Sequence, residues 1–157
     1  MYRKTEDFLN DWKDSAAGTI AVIRSITDDK RDQAIVEGHN TLGWLAWHLT
    51  NAPIGLSKFA GLDIQPVGHP QQVPPSVQVI AEAYEAVSAA LLEAAGKLTD
   101  EALAEEVPAF GGTMMRGQIL RKLVDHQTHH RGQMTVLLRQ AGLTVPGVMG
   151  PTREQRA

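Results

Sequence analysis

The sequence predicts an all-α protein, a four-helix bundle with one long crossover loop. Three observations predict it. Four stretches place apolar residues at every third or fourth position, the repeat of one helical face. Only one connection, residues 61–75, is long, with two glycines and four prolines. No convincing strand pair appears, so the apolar faces must bury against each other.

The first helix is expected over roughly 3–26, where Phe8, Trp12, Ala16, Ile20 and Ile23 form one stripe. Thr27-Asp28-Asp29 then offers a turn and a cap. The second covers roughly 41–60, capped by Asn40 or Thr41, with Leu42, Leu45, Leu49, Ala52 and Leu56 as its stripe. Pro53 lies inside it and should kink or split it, because proline lacks the backbone N–H. Gly61 is the expected stop. The third helix covers roughly 76–97 with Ser76 as cap, and Val77, Ile80, Tyr84, Val87, Leu91 and Ala95 as its stripe. Thr99-Asp100-Glu101 opens a short helical turn, and residues 107–112 make a connection with a little extended structure. The fourth helix covers roughly 113–141, from Thr113 as cap to Gly142 as stop. Its stripe is read through Ile119, Leu123, His126, His130, Met134 and Leu137.

A chain of 157 residues suffices for a single domain, 1–157, with a real core. The net charge of −3 and pI near 6.0 argue against a nucleic-acid partner, which would select a basic face. There is no cysteine, so disulfides and thiolate ligands from the chain are excluded. The residues Met1 to Asp7 lack the apolar core of a signal peptide, and no run is long enough to span a membrane. A cytoplasmic protein without membrane contact is expected.

Function points to Asp125-His126-Gln127-Thr128-His129-His130-Arg131-Gly132-Gln133, which holds three of the six histidines. His126 and His130 stand at i and i+4, so their rings share one helix face about 6 Å apart along the axis. Two imidazoles so placed can grip one metal ion, sit on a solvated face, or form a hydrogen-bonded core pair. An imidazole buried with no partner would cost about 1–3 kcal/mol. His48 repeats the anomaly, a histidine among Leu45, Leu49 and Ala52. Metal sites in bundles are built from side chains on facing helices, and three protein ligands leave a position open.

The other candidates have weaker claims. His129 points about 100° away from His130. His39 should be exposed at a helix start, and His69 lies in the loop. Asn51, Asp125 and Gln133 are candidates to orient the ring nitrogens, with a solvated charge the plainer reading of Asp125. Arg131 leaves the ligand face to meet a carboxylate or mark a pocket rim. Gly132 costs the helix about 1 kcal/mol relative to Ala, and either allows a close approach of another helix or is simply tolerated. Trp44 and Trp47 flank His48, as bundle or dimer packing or as a substrate wall.

The string DHQTHHRGQMTVLLRQAGLTVP resembles the last-helix motif of the DinB-like proteins, and TLGWLAWHLTNAP resembles that family's second-helix ligand segment. The resemblance spans essentially the whole chain. It implies a bundle of DinB/YfiT-like type in up-down-down-up order. It implies a divalent metal on His48, His126 and His130, and frequent homodimers. Characterised branches are thiol-dependent transferases and isomerases that use bacillithiol, mycothiol or glutathione. In the maleylpyruvate isomerase branch a Glu takes one ligand position on the last helix. Here both positions are His, which moves the chain toward the all-histidine branch.

Three neutral imidazoles would leave the ion's charge uncompensated, able to acidify a bound water toward pKa about 7 or to hold a thiolate. The thiol would be a low-molecular-weight cosubstrate attacking a small electrophile, with hydrolysis as the competing chemistry. Zn or Ni is favoured, and Fe or Mn would also serve. The expected function is a metal-dependent S-transferase or hydrolase acting on a small-molecule substrate. The alternative is a metal-binding stress-response or dimeric scaffold protein without turnover.

Overall fold

The computed structural model describes residues 1–156. Four long helices carry the fold: α1 Thr5–Arg24, α2 Leu42–Phe59, α3 Val77–Ala95 and α4 Arg116–Gln140. Each has the apolar repeat that the stripe reading requires. In cross-section α1 and α2 are both flanked by α3 and α4, so consecutive helices α1 and α2 lie diagonally. Tyr2 N–H donates to the Gly117 carbonyl, which sets the start of α1 beside the start of α4. Thr5 bonds Asp100 and the Leu98 carbonyl, which sets that same end of α1 beside the end of α3. Arg116 donates from Nε to the Ala60 carbonyl, joining the start of α4 to the end of α2. The order is therefore up-down-down-up. Parallel neighbours α2 and α3 require a return along the bundle, and residues 60–76 provide it.

Pro53 does not split α2, which runs unbroken through it. The proline has no N–H for the Leu49 carbonyl. Gln127 of α4 supplies the missing donor, Nε2 to the Leu49 carbonyl at 3.1 Å. Gln127 Oε1 accepts from Thr19 Oγ1 of α1 and from the Tyr84 hydroxyl of α3, each at 3.0 Å. One side chain, 1% exposed, thus ties all four helices. Along α4 it lies between Leu123 of one apolar cluster, with Phe8, Trp12 and Ile119, and Met134 of the other, with Ile23, Leu45 and Leu138.

Three expectations are corrected. A strand pair is present where none was expected: the extended structure around 107–112 is a hairpin over 106–115, in which β1 Glu106–Ala109 pairs antiparallel with β2 Gly112–Met115. Its two-residue turn, Phe110-Gly111, has positive φ at both positions (52° and 80°), the geometry that matches strand twist. Thr113 is consequently a strand residue, and α4 begins at Arg116. The cap at α3 is also different. Ser76 makes no side-chain cap, and the Val77 N–H instead donates to Asp28 Oδ1 at 2.7 Å. At α2 the cap is Thr41, whose Oγ1 accepts from the Trp44 N–H.

The buried stripe of α4 departs from the expected one at its middle. Ile119, Leu123, Met134 and Leu137 are buried as expected, but between them the interior positions are Gln127 and Arg131, not the histidines. His126 and His130 flank it, half-buried, at the seam where α4 meets α2. His48 takes the matching position on α2, beside buried Leu45 and Leu49.

Candidate metal centre

The antiparallel packing of α2 on α4 brings His48, His126 and His130 together. One ring nitrogen from each lies within 4.8 Å of the others. His48 Nε2 and His126 Nε2 are 3.1 Å apart. Nitrogen ligands at about 2.0–2.1 Å from a tetrahedral ion would be separated by about 3.3 Å. The first pair therefore already stands at the edge length of a coordination shell. The three rings crowd each other, with centroids 4.5–4.9 Å apart, an arrangement unfavourable for charged imidazoles.

Charge state follows from burial first and from that crowding second. Burial, and then the neighbouring His130, lower the pKa of His48. Burial, followed by His130, His48 and His129, pushes His126 down to about 4. Both rings are thus neutral at pH 7, the form that offers a lone pair to a metal.

The partners of the far ring nitrogens differ. His130 Nδ1 donates to Gln133 Oε1 at 2.9 Å, which leaves its Nε2 free as the ligand atom. His126 Nδ1 is enclosed and has no partner among the described residues. Trp44, 38% exposed, stacks on the His48 ring at 4.8 Å and 9°. It is part of the site's wall, whereas Trp47 is buried and donates to the His69 carbonyl. The donor set fits a divalent ion that favours imidazole.

The remaining candidates fall away from the cluster. Asn51 donates back to the Trp47 carbonyl within its own helix. Asp125 pairs with Arg121 on the surface. His129 is exposed and touches Gln133 Nε2 at 3.4 Å. His39 and His69 are exposed outside the helices. Arg131 meets no carboxylate among the described residues. Its Nη1 donates to the Ser15 carbonyl at 2.7 Å, and to the hydroxyls of Ser15 and Thr19. Gly132 permits no close approach, since a Cβ there would meet nothing within 4 Å. The residue that sequence reasoning missed is Gln127. Its signal was the pairing of a proline inside α2 with a polar residue centred between Leu123 and Met134.

The DinB family model matches residues 1–157. The chain belongs to the DinB family. It is 42% identical over 159 aligned residues to an uncharacterised Bacillus subtilis (strain 168) protein, YrdA, covering all of this chain and 95% of that protein. Among solved structures, a DinB-like protein from Bacillus cereus ATCC 10987 superposes with a TM-score of 0.89 at 41% identity, covering 94% of this chain and 99% of the other. A second DinB-like protein, YjoA of Bacillus subtilis, shares the fold at TM-score 0.73 and 16% identity, over 92% of this chain and 99% of the other. The expected bundle and family resemblance are thereby borne out. Among the described residues of this DinB protein, no helix is long and apolar enough to cross a membrane.

Proposed function

We propose that this DinB protein is a divalent-metal-dependent enzyme, a thiol-dependent S-transferase or hydrolase acting on a small electrophile. The metal ligands are His48, His126 and His130. The observation that carries this reading is the convergence of three imidazoles, with two Nε2 atoms at 3.1 Å, and with no carboxylate in the group. Zn or Ni suits the set best, with Fe or Mn as alternatives.

A divalent ion held there would supply a Lewis acid with open positions, able to acidify a water or a small thiol. The chain's own residues would do the rest. Gln133 fixes the His130 tautomer, and Trp44 covers one face of the His48 ring. With no cysteine in the chain, the thiol arrives as a cosubstrate such as bacillithiol, mycothiol or glutathione. The reading takes the chain as one cytoplasmic domain that forms a homodimer. Exposed Ile35, Val36 and Val136 favour the dimer, which is common to this reading and to the alternative, a metal-binding stress-response scaffold without turnover.

Metal analysis followed by a thiol-consumption assay tests the proposal. Near-stoichiometric Zn or Ni is expected, lost in His48→Ala, together with thiol loss when an electrophile panel is added. No metal uptake on reconstitution would sink both readings, leaving the 3.1 Å contact as a hydrogen bond between histidines. Metal without turnover across the panel would select the scaffold.

A further inference from the structure

Arg131 is the strongest electrostatic anomaly outside the histidine site. It is 5% exposed, and a buried cation normally has a carboxylate beside it. Among the described residues none lies within ion-pair distance. All three of its hydrogen bonds leave from Nη1. Nε and Nη2 therefore have no acceptor among the described residues, yet neither is sealed from solvent.

A cavity of about 390 Å³ opens beside this group, between α4 and the segment 145–152. That volume is in the range of small-ligand pockets. Its walls are Val145, Pro146, Val148, Met149 and Pro151, with Arg131 as the unmatched charge. Arg139, also at its edge, is neutralised by a two-pronged pair with Glu154 at 2.8 and 3.2 Å. A second cavity on the α1 side of Arg131 carries Asp11 and Asp14, so it disfavours an anion. Gly18 leaves the room in which Val148 and Arg131 meet, since a Cβ there would lie 2.6 Å from Val148 Cγ1.

We propose that this cavity binds a small organic carboxylate, held two-pronged by Nε and Nη2 of Arg131 with its apolar body against Val145, Val148 and Met149. Guanidinium and carboxylate match as planar forks, and the apolar residues of the wall give the ligand's body a surface to pack against. The site is distinct from the histidine cluster, because Arg131 points about 100° around α4 from His130.

Benzoate is the probe. A saturable rise in Tm of roughly 5–10 °C is expected at about 100-fold excess over Kd. Sodium chloride at equal ionic strength should give none. Arg131 variants risk misfolding, so Gly132→Leu is the decisive variant. Gly132 borders the cavity, its Cβ direction is open, and Leu is the better helix former by roughly 0.8 kcal/mol. Gly132→Leu should fold and lose the benzoate shift, while His126→Ala should keep it. The proposal is overturned by no saturable shift, by a shift that persists in Gly132→Leu, or by a response to inorganic phosphate alone.

Discussion

Gln127 Nε2 donates to the Leu49 carbonyl, the acceptor that Pro53 leaves empty in α2. A defect in one helix is thus closed by a side chain from another. The same bond sets the rotation of α4 against α2, and so the facing of His126 toward His48.

Gln127→Leu should therefore cost about 3 kcal/mol, since it strands the Leu49 carbonyl and the buried Tyr84 hydroxyl at once, while Thr19 keeps its bond to the Ser15 carbonyl. Pro53→Ala restores an N–H for Leu49 and should recover part of that loss. A double-mutant cycle by urea denaturation, read at the midpoint with unchanged slope, should give a coupling of about 1 kcal/mol. Strict additivity would refute the relationship.

Gln133→Ala removes the acceptor of His130 Nδ1. Metal affinity should fall by about 10–100-fold without loss of fold, the usual penalty for an outer partner of a ligand histidine. Competition with a chromophoric chelator measures it. Asn51→Ala, whose amide bonds only its own helix, should leave affinity unchanged.

Trp44 stacks on His48, while Trp12 is fully buried beside Ser88. Paramagnetic Ni²⁺ at the histidines should quench Trp44 fluorescence most. Trp44→Phe should abolish most of the quenching, and equal quenching in that variant would place the ion elsewhere.

The Tyr84 hydroxyl is buried, and burial pushes its pKa well above the ordinary value near 10. The unfolded chain loses this proton first as pH rises. The stability it contributes is complete below pH about 10 and declines above it. Tyr84→Phe should show a shallower alkaline slope in denaturation midpoints. An identical slope in both proteins would contradict the assignment.

Much of the fold was legible because burial and apolarity coincide along α1, α3 and most of α2. Phe8, Trp12, Ile80, Leu91 and Leu49 are all buried where the helical repeat puts them. The coincidence fails on α4, where Gln127 and Arg131 occupy the buried stripe. Their partners are Leu49, Tyr84, Ser15 and Thr19, on other helices, so no local pattern signals that they are satisfied. The histidines were consequently read as the buried face rather than as its neighbours. The hairpin was obscured for another reason: its strands are four residues each, and Pro108 interrupts the first. The histidine trio was within reach, since His126 and His130 share one face and His48 breaks another helix's stripe. The roles of Trp44 and Gln133 depend on side-chain directions that spacing alone does not provide.

The interleaving of Gln127 and Arg131 with His126 and His130 divides labour between adjacent positions of one helix. The interior pair secures the bundle, and the seam pair presents nitrogen to α2. Substitution at the seam would change the side chains offered to α2 while the interior stays intact. The same interleaving makes α4 intolerant of insertion. One added residue between Gln118 and His126 would turn everything beyond it by about 100° relative to the start of the helix. The residues that hold the fold and those that face the seam would be displaced together. Diversity in this chain should therefore accumulate by substitution along α4, with length changes confined to connections such as 60–76.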